Sequence, residues 1–147
     1  MSPSRRRVGA SLVALTLLSV GVIAEAERNY ATVTALDQST ASVIDATLDD
    51  RVVVTLRIHN SMHRPVRVDY VTITLSGDDV AGTASTPYNE HRKLLPENGQ
   101  ILGVVPQRQV DGDLADGDRV TVGGIVAVRV YNAYEFEIPI EPKEVTL

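Results

Sequence analysis

The chain has no cysteine and no tryptophan, a single phenylalanine, and lysine only at Lys93 and Lys143. Without cysteine there can be no disulfide, thiolate nucleophile, cysteine-ligated zinc, iron–sulfur cluster or lipid-modified N-terminal Cys. Aromatics are scarce, with five Tyr beside the lone Phe, so a core must be built from Val, Ile and Leu. Basic residues are outnumbered 14 to 19, for a net charge of −5, which argues against nucleic acid as a partner. What is present has the balance of a folded protein, 44% apolar and 22% charged. A length of 147 residues accommodates one domain and a short appendage.

The appendage is N-terminal. Arg5, Arg6 and Arg7 precede Val8–Ala24, seventeen residues without charge or proline. As a helix this stretch would rise about 26 Å, at the short end of what crosses a bilayer core. The arginines favour a cytoplasmic N-terminus, with everything after the helix outside. Three readings stand. One is a retained signal anchor, giving a single-pass protein of the cell membrane whose bilayer contact is this helix. The second is a signal peptide cut near Ala26, because Ala24-Glu25-Ala26 has the small-x-small spacing of a cleavage site, which would give a secreted protein. The third is an ordinary buried helix, although Ser11, Thr16 and Ser19 do not form a polar face. The expected division is 1–26 anchor or signal peptide, 27–39 linker and 40–147 folded domain. Loss of the three arginines and Glu25 takes the net charge from −5 to −7. Acidity with arginine in place of lysine resembles proteins of salt-loving organisms, whose acidic surfaces stay hydrated where salt screens repulsion.

From Thr40 onward the hydrophobic period is two. Val52, Val54, Leu56 and Ile58 share one face, opposite Arg57 and His59. Val120, Val122, Val126, Val128 and Val130 keep one phase, with Arg119, Thr121 and Arg129 outward. Tyr134, Phe136, Ile138 and Ile140 oppose Glu135, Glu137 and Glu141. Ser42, Ile44, Ala46 and Leu48 suggest a first strand. Val66 and Val68 are out of phase with Val71, Ile73 and Leu75, and a bulge near Asp69-Tyr70 would reconcile them. Val80–Tyr88, with Gly82 and Pro87, suits an edge, and Ile101–Val105 follows a turn at Pro96–Gly99. Further breaks fall at Gly77–Asp79, Asp111–Asp118 and Asn132-Ala133. The expectation is all-β: a seven-stranded antiparallel β-sandwich, immunoglobulin- or fibronectin-III-like, preceded by one transmembrane helix.

The run Val52-Val-Val-Thr-Leu-Arg-Ile-His-Asn60, followed by Pro65-Val-Arg-Val-Asp-Tyr-Val71, resembles the water-stress and hypersensitive-response (WHy) domain. That domain is the module of a class of late-embryogenesis-abundant (LEA) proteins, also of archaeal type. Val122-Gly-Gly-Ile125 and Phe136-Glu-Ile-Pro-Ile140 are similar to the family's closing strand pair. The likeness covers residues 40–147. Ser61 stands where the family has proline, and the family's N-terminal Trp is missing. The resemblance implies a fibronectin-III-like sandwich, no enzymatic activity and an association with desiccation or osmotic stress.

Candidate chemistry is thin. Asp111, Asp113, Asp116 and Asp118, with Gly112 and Gly117 between them, could offer oxygen ligands to Ca²⁺ on a bendable loop. The spacing is not that of an EF-hand, so a solvated acidic turn is the preferred reading and no metal is expected. His59 and His63 lack a third ligand nearby in sequence. His91, within Tyr88–Lys93, marks a loop that could meet a ligand or partner. The outward glutamates lack the cleft that a catalytic pair needs. No serine sits in a nucleophile elbow, and Gly123-Gly124 is not a phosphate loop. No Asn is followed two positions on by Ser or Thr, so N-glycans are not expected. No catalytic residue and no cofactor are expected. The function expected is a membrane-anchored, non-enzymatic binding or stress-protection module, and the alternative is an accessory docking subunit of a membrane or envelope complex with a protein partner there.

Overall fold

A computed structural model describes residues 34, 37–62, 65–88, 94–95, 97–130 and 134–147. The expected anchor over 8–24 lies outside the described residues, as do His63, His91 and the break at Asn132-Ala133. Among the described residues no helix is long and apolar enough to cross a membrane.

Leu36–Leu147 forms a compact unit, and the strands follow the two-residue period. In order they are β1 (Thr40–Leu48), β2 (Arg51–His59), β3 (Val66–Ser76), β4 (Ala81–Pro87), β5 (Leu94–Leu95), β6 (Asn98–Pro106), β7 (Val110–Asp111), β8 (Arg119–Val130) and β9 (Tyr134–Thr146). A 3-10 turn, Gln107–Gln109, joins β6 to β7. The all-β reading therefore stands, and its details need correction. Among the described residues nine strands replace seven, because β5 and β7 are two-residue strands without a hydrophobic period of their own. Hydrogen bonding runs through them in one path, β6-β2-β1-β9-β8-β3-β4-β7, with β5 beside β3. One junction is parallel rather than antiparallel, where Ala41 and Ser42 of β1 meet Ile140 and Glu141 of β9.

The path bends until its first strands lie over its last. Gly103 of β6 lies directly against the side chains of Ile73 and Val71 in β3. Between the layers sit Val52, Val54, Leu56 and Ile58 of β2, all fully buried, with Ile101 and Val105 of β6 facing Val71, Ile73, Leu75, Val122, Val126 and Val128. Branched aliphatics suit this interior because they fill a pleated, two-sided core in few rotamers.

Bulges reset the phase at three places. In β3 the extra residue is Asp69, as the sequence predicts, and Val68 and Val71 both remain inside. In β1 the extra residue is Ile44. This corrects the expected face of the first strand: Ala41 and Val43 point inward, Ile44 is half-buried, and Ala46 returns to the core. Continuous alternation from Ser42 could not anticipate an inserted residue. The third bulge separates Ile140 from Lys143 on β9, across from Val122 and Gly124, and contains Pro142, which has no N–H to lose from a ladder. The expected turn at Pro96–Gly99 also ends early, since Asn98 and Gly99 already pair with His59 and Ile58.

Candidate functional site

Polar side chains gather at four places on this frame. The first is the β3 bulge. Asp69 is 5% exposed, and its extra position turns the carboxylate between two arginines on neighbouring strands. Arg67 Nε and Nη2 both donate to Oδ1, at 3.1 and 3.0 Å, and Arg129 Nε donates to Oδ2 at 2.6 Å. Arg129 Nη2 reaches Glu135 Oε2 at 3.5 Å, and the Tyr70 hydroxyl donates to Glu135 Oε1 at 3.3 Å. β3, β8 and β9 are thus cross-linked by charge at one level. Desolvation of Tyr70 raises its phenol pKa, and the Glu135 carboxylate pushes it further in the same direction. Charge-assisted bonds of this kind are short and strong, and here both oxygens of the buried Asp69 carboxylate are taken.

The second place is the end of β2. Asn60 is fully buried, and its Oδ1 accepts the Met62 N–H at 3.0 Å while its own N–H donates to Glu97 O at 2.8 Å. Beside it Ser61 N–H donates to Ser39 Oγ and Ser61 Oγ to Gln38 O. An Asn side chain that folds back on the backbone two residues later is a turn-former. His59 is exposed and hydrogen-bonded through Nδ1 to Asn98 Oδ1 at 3.0 Å.

The third place is the margin between β4 and β6. Thr86 Oγ1 accepts the Val104 N–H at 2.9 Å and donates to Val104 O at 3.4 Å. Tyr88 OH accepts the Leu102 N–H at 2.9 Å and donates to Leu102 O. Burial pushes the Tyr88 phenol pKa up, while a hydrogen bond from the Leu102 backbone pulls the other way. Tyr88, which opens the candidate ligand loop, is therefore engaged in the scaffold.

The fourth place is an open hollow of about 360 Å³, lined by the Gly77–Val80 turn together with Asp113, Asp118, Arg119 and Val120. Two members of the acidic loop, Asp113 and Asp118, line it, whereas Asp111 belongs to β7 beside Ala81 and Asp116 is exposed at the loop's outer turn. Asp118 Oδ2 accepts the Ala115 N–H at 2.8 Å, and the loop backbone binds the last residue through Gly117 N–H to Leu147 O and Leu147 N–H to Asp118 O. Among the described residues no three carboxylate or imidazole groups gather as metal ligands.

Two of these clusters escape sequence reasoning. Asp69 reads only as a phase break, although an acid in that break between basic strand positions is the available signal. The Thr86 and Tyr88 pairings have none, because they depend on which strand ends up beside β4.

No family model and no curated protein matches the chain. Among solved structures it is similar to an X-ray structure of a Northeast Structural Genomics Consortium target, at 10% identity over 74% of this chain and 83% of that one, TM-score 0.49. It is also similar to a solution structure described as a late embryogenesis abundant (LEA) protein, at 13% identity over 97% and 86%, TM-score 0.41.

Proposed function

We propose that the chain is a non-enzymatic β-sandwich module of the LEA/WHy type, acting in binding or protection under water stress. It is held at the outer face of the cell membrane by its N-terminal helix. The observation that carries the reading is Asn60. Asn60 ends the first of the runs that carry the sequence resemblance, and it is fully buried and forms the corner between β2 and the segment leading to β3. The engagement of Asp69, Thr86 and Tyr88 in joining strands supports a scaffold rather than a reaction centre.

The test dries and rehydrates a labile reporter enzyme with the full chain or with an equal mass of an unrelated soluble protein. Greater recovered activity with the chain is expected, and equal recovery in both arms overturns the protective role. Fractionation with N-terminal sequencing tests the address. Intact Met1 or Ser2 in the membrane pellet is the expected result, and a soluble form beginning near Glu27 replaces the anchor with secretion.

A second reading, an accessory docking subunit, draws on Leu102. This side chain is 47% exposed on the outer surface of β6, next to the half-buried Val53 and Val104. A partner copurifying in fixed ratio from gently solubilised membranes, and lost in Leu102→Ser, would favour it.

A further inference from the structure

The margin between β4 and β6 is built differently from every strand pairing in the sheet path. β6 is the terminal strand of that path and pairs through its backbone with β2. Antiparallel alternation turns the N–H and C=O of Ile101, Gly103 and Val105 toward β2 and those of Leu102 and Val104 away from it. The outward groups of a terminal strand ordinarily meet water or a further strand. Here they meet two hydroxyls. Thr86 of β4 and Tyr88, one residue past its end, lie two residues apart in the same phase as the buried Ala84. Their hydroxyls match Val104 and Leu102 in antiparallel order, each accepting one N–H and donating to the carbonyl of the same residue. A hydroxyl can do both because it carries one donor and two acceptor lone pairs. Among the described residues no backbone–backbone bond joins the two strands.

We propose that this margin is a latch: the fold opens between β4 and β6 ahead of global unfolding, by release of the Thr86 and Tyr88 hydroxyls. A ladder bond breaks only when strands separate, and each strand is tied at many residues. A hydroxyl leaves by rotation about its own side chain and exchanges its partners for water, at a net cost near that of the two ordinary hydrogen bonds it makes. The close fit of Gly103 on Ile73 and Val71 holds the closed state, and nothing covalent or ladder-like reinforces it. Opening bares the outer edge of β6 and the aliphatic floor beneath Gly103, while the β2–β6 ladder stays intact.

Residue-resolved amide exchange on the detergent-solubilised full chain tests the latch. In the native chain the Leu102 and Val104 amides are expected to exchange about tenfold or more faster than those of Ile101, Gly103 and Val105, as sub-global opening requires. Tyr88→Phe is expected to speed both Leu102 and Val104 by about thirtyfold, the worth of the two hydrogen bonds its hydroxyl makes, and to leave the three β2-facing amides unchanged. Thr86→Ser keeps its hydroxyl and should match the native chain. Equal protection of outward and β2-facing amides in the native chain overturns the proposal, and this arm decides even if Tyr88→Phe does not fold. So does a Tyr88→Phe effect confined to Leu102, or one spread over all of β6.

Discussion

Asp69 shows how much one side chain can organise. Its carboxylate is shielded from water, yet both guanidiniums that hold it still reach solvent, with side-chain exposures of 25% and 35%. Breaking a fully buried pair costs about 3–5 kcal/mol. With the arginines partly hydrated, Asp69→Asn is expected to cost less, about 2 kcal/mol, read as a lower midpoint in urea at unchanged slope. The two shifted phenols make a prediction of opposite pH sense to that of a salt-bridged acid. A phenol whose pKa is raised in the folded chain keeps its proton longer there. The stability this confers is complete below about pH 10 and is lost as pH rises through the raised value. Thermal melting should therefore fall above about pH 10, and fall less steeply in Tyr70→Phe and in Tyr88→Phe than in the native chain. An unchanged slope in both variants would show that other groups govern the alkaline limb.

At the scale of the strands, two glycines with positive φ separate conformational from steric need. Gly117, at φ +93°, has nothing within 4 Å of where a Cβ would stand, whereas at Gly124, φ +132°, a Cβ would collide with the Thr72 carbonyl of the neighbouring strand. Gly117→Ala is expected to cost about 1–2 kcal/mol, the left-handed penalty alone. Gly124→Ala should cost about 3 kcal/mol or more, because strain and overpacking combine and the obstacle is backbone. Urea unfolding of the two variants checks the ranking, which equal losses would refute. The same strands show how far periodicity carries. β2 and β8 could be read directly, since each keeps its phase and its valines are buried as the alternation requires. β1 could not be read in full, because the bulge at Ile44 is imposed by its pairing with β2 and leaves no mark in its own composition.

For the whole molecule the charge balance has a measurable consequence. A net charge of −5 repels itself, and salt shortens the range of that repulsion to about 3 Å at 1 M. Raising KCl from low to molar concentration should raise the melting temperature, as the salt-loving reading requires; a fall would show that screening of the Arg67–Asp69–Arg129 cluster dominates. Millimolar calcium should leave melting unchanged, because only Asp113 and Asp118 of the four loop aspartates share a hollow and Asp118 already caps Ala115. A clear upward shift would instead restore the loop as a cation site.

The alternation of branched aliphatics with polar residues was enough to establish an all-β unit, its core valines and the bulge at Asp69, because side chains in a strand must alternate between faces wherever the strand lies. The parallel meeting of β1 with β9, the closure of β4 onto β6 through hydroxyls, and the union of Arg67 with Arg129 around one carboxylate join residues between 14 and 99 positions apart. Such contacts exist only once distant strands have assembled, and no local pattern encodes which distant strand will arrive beside a given edge.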